Sequence, residues 1–424
     1  MGTSESVNEA NLTEVMRQRL PPDILTVLGR TGELAFQSGQ KLYLVGGVVR
    51  DMLLGRVSLD LDIVVEGDAL KLAQSLSQLY PGGLTVHRQF GTARLRQNDW
   101  VLDFATARLE TYSKPGALPD VRPGNIREDL FRRDFTINAM AVCLEPSRYG
   151  HLLDPYGGKG DLDLGIIRIL HQKSFTDDAT RMFRAVRYEQ RLGFHLEAGT
   201  ETRLRQEVSM LDTISPDRVR HELEIICKEE RPELSFMRAA ELSLLQALHP
   251  QLTGDGRLAE KFAEARRTHQ LATPPVSIYL ALLVYPLSKG EVERFVKRIN
   301  PQATTARVLR DTVRLRERRD ALERDDVSPS AVFHLLEDYA LQAVQVNVMS
   351  DPPTRVKERL ERYLSELRHV RPLLNGEDLR NLMIAPGPKM GQVLRMLQDA
   401  RLDGKIGSRE DEISLVQQYL GKKD

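Results

Sequence analysis

Polar and apolar residues change rhythm once along this chain. Up to about residue 165 the apolar positions come in short, strand-length runs separated by Gly, Pro and Asn. A polar opening, 1–22, ends in Pro21-Pro22, and helical periodicity predicts a helix over 23–38 that stops at Gly39. The runs 41–45 (KLYLV) and 59–66 predict strands, with a short helix over 48–54 between them and another over 68–79 after them. Strand-like segments recur at 84–87, 92–96 and 99–106, and 138–144 and 150–154 complete the set. Between these, 107–130 is rich in Pro and Gly and reads as an ordered excursion or a mobile loop. From about residue 164 the spacing turns helical, over 176–193, 197–212, 216–229, 232–245 and 257–269. It stays helical over 275–284, 289–298, 302–322, 329–349 and 353–369, with no internal repeat or low-complexity tract. The expected class is α+β: a small mixed-sheet head followed by an all-helical remainder, with a boundary near residue 165.

Composition bounds the function. A chain of 424 residues exceeds one compact core, so two or more domains are expected. Its 41% hydrophobic and 28% charged residues fit a soluble, helix-rich protein. Lys plus Arg (60) balance Asp plus Glu (60), so any RNA affinity must come from local basic patches. Aromatics make up only 6%, with one Trp (Trp100), which disfavours a surface built on stacked aromatics. Cys143 and Cys227 lie in apolar surroundings, as reduced buried thiols do, and two cysteines cannot build a zinc cluster alone. The first residues lack a charged segment followed by an apolar one, and no apolar run approaches 18 residues; the expectation is a cytoplasmic protein with no membrane span.

The chemistry concentrates near the start. In 59–66, period-2 alternation puts Asp60 and Asp62 on one strand face and Leu61, Ile63 and Val65 on the other. Two carboxylates on one face repel each other, and a divalent ion such as Mg²⁺, with substrate phosphates completing its shell, resolves the conflict. Gly46-Gly47 stands between a strand and a helix start, where a backbone without Cβ can approach a phosphate, and Arg50 adds a cation. An Asp-x-Asp on a strand is most often a solvated face and a lone Gly-Gly a turn. It is the ordered combination that fits nucleotidyl transfer. Neither dinucleotide-binding nor P-loop patterns occur at this turn, and the Asp-rich 154–165 stretch ends in Gly rather than the Glu of a calcium loop.

LVGGVVRD followed by LDLDIVV resembles the signature of the polymerase-β-like nucleotidyltransferases. Four further stretches, in order, are RRDFTINAMA (132–141), DPYGGKGDL (154–162), DDATRMFRAVRY (177–188) and SPDRVRHEL (215–223). Together they resemble the class II CCA-adding tRNA nucleotidyltransferases and their poly(A) polymerase relatives over roughly the first 230 residues. The resemblance implies a nucleotidyltransferase head (39–165) after an N-terminal segment and helix (1–38), then a neck (166–230), a body (231–300) and a tRNA-binding tail (301–424). It implies that Asp60 and Asp62 bind the catalytic metal ions, that Gly46, Gly47 and Arg50 hold the triphosphate, and that Arg133 and Asp134 contact the nucleotide. Asp134 would accept from the ribose 2′-OH; the bland alternative is a cap on the segment after it.

Asp178, Arg181 and Arg184, spaced i, i+3, i+6, fall within about a third of a helix circumference, with Arg187 further round. As a bare pattern this is a charged face; with the resemblance it becomes a protein template for the base. Asp178 accepts and Arg181 donates, which suits cytosine and adenine and mismatches uracil and guanine. Asp177 replaces the family's usual Glu before the templating Asp. Asp103 is a candidate third carboxylate or a structural Asp, and the full-length 107–130 excursion corresponds to the family's flexible element, against restriction to C addition. SPDRVRHEL would brace the template helix. Lys389, opening a helix after Ala385-Pro-Gly-Pro, and Arg314 and Arg318 are the candidate tRNA contacts; an interhelical turn and a solvated face are the alternatives. The expected partners are tRNA, CTP and ATP, with no membrane and no obligate protein partner, and the expected reaction is CCA addition. The rivals are A-only or CC-only addition, poly(A) synthesis, and a catalytically silent RNA-binding protein on the same fold.

Overall fold

The computed structural model describes residues 10–80, 82–97, 100–269 and 273–421, so the first part of the polar opening lies outside them. Helices α1 (Thr13–Arg19) and α2 (Pro22–Gln37) precede β1 (Lys41–Val45). Pro22 starts α2 where a missing N–H costs nothing, and its stripe of Ile24, Val27, Leu28, Thr31 and Ala35 is buried. Gly32 allows α2 to close on the sheet, because a Cβ there would sit 2.0 Å from the Leu144 carbonyl oxygen. Next come α3 (Gly47–Leu53), β2 (Asp60–Glu66) and α4 (Ala69–Leu79), the last capped by the Asp68 carboxylate on the Lys71 N–H at 3.0 Å.

Strands β3 (Gly83–His87), β4 (Thr92–Gln97), β5 (Trp100–Thr106), β8 (Ala141–Cys143) and β9 (Leu152–Leu153) join β1 and β2 in one sheet, ordered β3-β4-β5-β2-β1-β8-β9. Every neighbouring pair is antiparallel except β2 and β5, whose parallel register sets Asp62 opposite Asp103 and Asp60 opposite Val101. Leu61, Ile63 and Val65 are fully buried, as the alternation predicts, with α4 packed against β2, β4 and β5. On the other face Val64 is buried with Tyr43, Val45, Ile126, Leu130 and Ala141, leaving only the Asp60 and Asp62 end open.

The stretch 107–130, read as an excursion or mobile loop, is ordered. Arg108–Thr111 and Asp120–Pro123 pair as an antiparallel ribbon, β6 and β7, followed by α5 (Ile126–Phe131) with an Asn125/Glu128 capping box. After α6 (Gly158–Leu164), the expected helix 176–193 is broken into α7 (Ser174–Asp177) and α8 (Thr180–Leu192). Asp178 between them is extended, at φ −144°, and its carboxylate accepts from the Thr180 N–H and hydroxyl. That side chain competes with the helix's own hydrogen bonds, which spacing alone does not reveal. Helices α9 (Ala198–Glu207) and α10 (Pro216–Ile226) follow.

Two compact units result. The described residues up to Glu222, with Leu242–Ala247, form one; Leu223–Glu241 and the residues from Leu248 onward form the other, which is helical. In that second unit Val276–Val284 is buried all round, and separate clusters gather about Leu336, Val344 and Leu360 and about Leu379, Val393 and Val416. The predicted helix 329–349 is two, Pro329–Leu336 and Leu341–Met349. Buried Asp311 accepts from the Ala340 N–H at 2.9 Å and so starts the second one afresh. Among the described residues no helix is long and apolar enough to cross a membrane.

Candidate active site

A cavity of about 1330 Å³ opens over the carboxylate end of β2 and is lined by residues of the first unit only. Its floor holds Asp62 and Asp103, side by side through the parallel register, with Gly47 and Arg133 at one edge. Asp60 is exposed on the same strand face but outside the lining. Burial raises the Asp62 pKa; Arg133 opposes the shift, while Asp103 and Asp60 add to it. A carboxyl reluctant to ionise among like charges is what a bound cation relieves. Arg94 already clamps Asp103 with two hydrogen bonds of 2.7 Å, and no closed cluster of three or more ligating side chains exists among the described residues.

The glycine turn is built as anticipated, with one correction. Gly46 adopts φ +75°, and a Cβ there would lie 2.5 Å from Arg133 Nη1, so the absent side chain makes room for that guanidinium. Arg133 in turn is anchored on buried Asp129 at 3.0 Å. Burial alone would lift the Asp129 pKa, but Arg133 and Arg132 outweigh it and keep it low. Arg50, expected to reach the triphosphate, is only 3% exposed and does not line the cavity. Its guanidinium is spent on Asp51 (2.9 Å) and Asn138 Oδ1 (2.6 Å), with the Tyr188 ring 5.1 Å away. Having found buried partners, it shapes the turn from behind.

Asp134 is buried (7% exposed) and its acceptor capacity is full. Oδ1 takes the Phe135 N–H (2.8 Å) and Asn138 Nδ2 (2.9 Å); Oδ2 takes Arg184 Nε (2.9 Å) and Nη2 (2.5 Å). An ionised carboxylate offers about four such places. Burial opposes ionisation, yet Arg184 and Asn138 prevail and hold its pKa at about 2. The cap alternative accounts for one of these bonds only.

Asp178, Arg181, Arg184 and Tyr188 also line the cavity, while Arg187 is buried with its guanidinium 4.7 Å from the Tyr188 ring. Because Asp178 lies before α8 rather than on it, the i, i+3, i+6 argument misstates the geometry; the break, not the helix face, aims the carboxylate. Asp178 Oδ1 takes Thr180 and also Arg218, at 2.8 Å from α10, and Oδ2 accepts no hydrogen bond from the described residues. Arg181 donates to Ser174 Oγ (2.8 Å) and the Arg132 carbonyl (2.6 Å), which fixes its plane. Asp177, at the end of α7, has its pKa raised by burial, Arg181 opposing.

The pattern missed several lining residues. Arg94, Arg108, Glu110, Tyr112, Arg218 and Glu222 all face the cavity. The ribbon β6–β7 supplies Arg108 and Glu110, and Arg132 bonds to both Glu110 and Asp129, tying ribbon to α5. The signal for Arg218 was present as a motif, but which way it pointed was not.

The candidate tRNA contacts lie in the second unit and fare unequally. Arg314 pairs with Asp311 at 3.0 Å and sits 4.2 Å over the Tyr339 ring, so it is committed within the fold. Arg318 and Lys389 are exposed, Lys389 in the first turn of Pro388–Leu402. Other basic residues of these helices are engaged, Arg310 with Glu293 (2.7 Å), Arg316 with the Leu287 carbonyl (2.8 Å) and Arg359 with the Leu322 carbonyl (2.6 Å).

Known proteins match this arrangement. Residues 42–168 match the poly A polymerase head domain, and residues 193–255 match the probable RNA and SrmB-binding site of polymerase A. The A-adding tRNA nucleotidyltransferase of Halalkalibacterium halodurans is 33% identical, over 99% of this chain and 98% of that protein. That of Geobacter sulfurreducens is 31% identical over 97% of this chain, which spans only 48% of that relative. Among solved structures, the Thermotoga maritima CCA-adding enzyme complexed with tRNA superposes with a TM-score of 0.77 at 30% identity, covering 97% of this chain and 99% of that one. A CCA-adding enzyme in apo form II reaches 0.83 at 31% identity, with 97% and 99% covered. The chain is a tRNA nucleotidyltransferase: it belongs to the class II CCA-adding family, whose polymerase-β-like head it shares with the poly(A) polymerases.

Proposed function

We propose that this protein adds the terminal A to the 3′ end of tRNA ending in CC, with ATP as donor. The observation that carries the transfer chemistry is one cavity holding both the paired carboxylates Asp62 and Asp103 and the base-facing pair Asp178 and Arg181. The choice of A rests on the relatives: the Halalkalibacterium A-adding enzyme aligns over 99% of the chain, the CC-adding enzyme of the same organism over 44%.

Asp62, with Asp60 and Asp103 beside it, would hold Mg²⁺. The donor set fits a hard cation that keeps water and phosphate oxygens as its remaining ligands. When bound, such an ion would supply activation for the attacking 3′-hydroxyl and charge stabilisation for the departing pyrophosphate. The chain's own residues orient the reactants. The Gly47 backbone and Arg133 face the phosphates, and Asp134 serves the ribose. The free Oδ2 of Asp178 accepts the exocyclic amine of adenine while Arg181, immobilised by Ser174 and the Arg132 carbonyl, donates to the ring acceptors. Uracil and guanine present a carbonyl to Asp178 and leave it unpaired, a mismatch worth about 1–3 kcal/mol.

Full CCA addition is the second reading. It is favoured by solved CCA-adding enzymes with ATP and with CTP, both at TM-score 0.81, and by the cavity's ability to read cytosine through the same two groups. Transcripts ending before CCA, after C and after CC, each offered one nucleotide at a time, separate the two. Incorporation of A on the CC form alone supports the first reading; C on the shortest form together with A on the CC form supports the second. Asp62→Ala abolishes either; a variant that still transfers refutes the site.

A further inference from the structure

Asp134 has four hydrogen bonds on four acceptor positions, so a ribose hydroxyl can bind it only if a donor leaves. The Phe135 N–H is backbone, and Asn138 is held by Arg50 at 2.6 Å; Arg184 is the donor able to go. Its side chain keeps 31% of its accessible surface, and it rests 5.6 Å from the Tyr188 ring, a face it can slide along without losing its cation–π contact. A guanidinium leaving a buried carboxylate needs another to go to. Glu222, on α10, lines the same cavity at 6% exposure, and its Oε2 has no hydrogen-bond partner. An idle carboxylate oxygen buried in a charged cavity is costly unless some state of the site uses it. Arg184 and Arg187 are the largest favourable charges acting on Glu222, and burial, which outweighs them, raises its pKa.

We propose that Glu222 is a positioning residue that takes Arg184 from Asp134 when a ribonucleotide enters, freeing Asp134 for the ribose 2′-hydroxyl. The exchange conserves charge inside the cavity, one ion pair opening as another closes. It makes ribose recognition depend on a residue that never touches the nucleotide. This rests on the reading of the cavity as the nucleotide site and of Asp134 as its ribose contact.

The test compares ATP with dATP on a transcript ending in CC, for the full chain and for Glu222→Gln, Glu222→Asp and Asp134→Asn. dATP has no 2′-hydroxyl and no need of Asp134. Glu222→Gln, which keeps the shape and loses the charge, should lower kcat/KM for ATP about tenfold or more, as loss of a charge-assisted hydrogen bond does, and leave dATP within about twofold. Glu222→Asp should restore most of the preference. An equal fall for both nucleotides, as a purely structural role would give, or no fall at all, overturns the proposal. If Asp134→Asn leaves the ATP preference intact, the ribose reading itself fails; if it abolishes the preference while Glu222→Gln does not, only the exchange fails. A crystal structure with a non-hydrolysable ATP analogue tests the exchange independently of rates. Arg184 should be bonded to Glu222 and Asp134 to the ribose; Arg184 still on Asp134 refutes the exchange.

Discussion

Replacing Arg184 with Met removes the cation from Asp134 and keeps much of the volume. Two of the four bonds on a buried carboxylate disappear, and breaking a buried pair from one side costs about 3–5 kcal/mol. The carboxyl has an escape, which is to take up a proton. The cost of that escape is about 1.4 kcal/mol for each pH unit above the ordinary carboxyl value of 3.8. That protonation therefore adds at most about 4 kcal/mol at pH 7, and less than about 2 kcal/mol at pH 5, to the loss of the ion pair itself. The sign is distinctive. In the wild type Asp134 has its pKa depressed to about 2, so its stabilising contribution is complete above 3.8 and is lost only as pH falls toward 2. In Arg184→Met the folded pKa rises above 3.8, the folded state binds the extra proton, and stability falls as pH rises. Urea unfolding followed by fluorescence reads this out in the correct unit, because the single Trp, Trp100, is buried at the start of β5, beside β2. A loss that is the same at pH 5 and pH 8, or absent, refutes the account of Asp134; the double variant Asp134→Asn/Arg184→Met should lose the pH slope.

Other changes test other parts. Asp178→Ala should raise incorporation of UTP and GTP relative to ATP by about tenfold, from the 1–3 kcal/mol carried by that hydrogen bond, and unchanged rejection in single-nucleotide extension assays would contradict the template reading. Gly32→Ala should destabilise the first unit by about 1–3 kcal/mol, since helix and strand must separate to admit a methyl group 2.0 Å from a carbonyl oxygen; a melting temperature indistinguishable from the wild type speaks against that packing. In the second unit His334 bonds to Glu337 (2.9 Å) and Asp399 (2.6 Å). Burial lowers its pKa, but those two bonds prevail and raise it above 6.5. The stabilisation is complete below 6.5 and is lost as pH rises through the raised value, and His334→Gln should flatten that part of the stability–pH curve.

The head was legible because its carboxylates obey strand periodicity. Leu61, Ile63 and Val65 had to be buried, which turned Asp60 and Asp62 to the open face. That Asp103 stands opposite Asp62 was not legible, since a parallel register between strands well separated in sequence is settled by the packing of β1, β4 and α4, not by either strand alone. Arg50 misled for the opposite reason: a cation beside a phosphate turn is also the nearest donor for Asn138 and Asp51, and the buried acceptors won. The break before α8 was hidden because Asp-Asp-Ala-Thr fits helical spacing, while the Asp178 bond to Thr180 is a local contest no periodicity records. In the second unit, Asn375-x-x-Asp378 announced the helix Gly376–Asn381 through its capping box, a signal lost among longer periodic stretches.

The ribbon β6–β7 pairs only with itself and shares no ladder with the seven-stranded sheet. A lone two-stranded ribbon has little stability of its own, so this wall of the cavity leans on what borders it: the Ala107 N–H at its root bonds the Val65 carbonyl of β2 at 2.8 Å, and Arg132 reaches Glu110. The floor and this wall of the cavity thus belong to different sheets. Charged contacts such as Arg132 to Glu110 can be exchanged without touching the register that keeps Asp62 beside Asp103. Substitutions in the ribbon can thus change one wall of the cavity and leave the carboxylates of the floor in place.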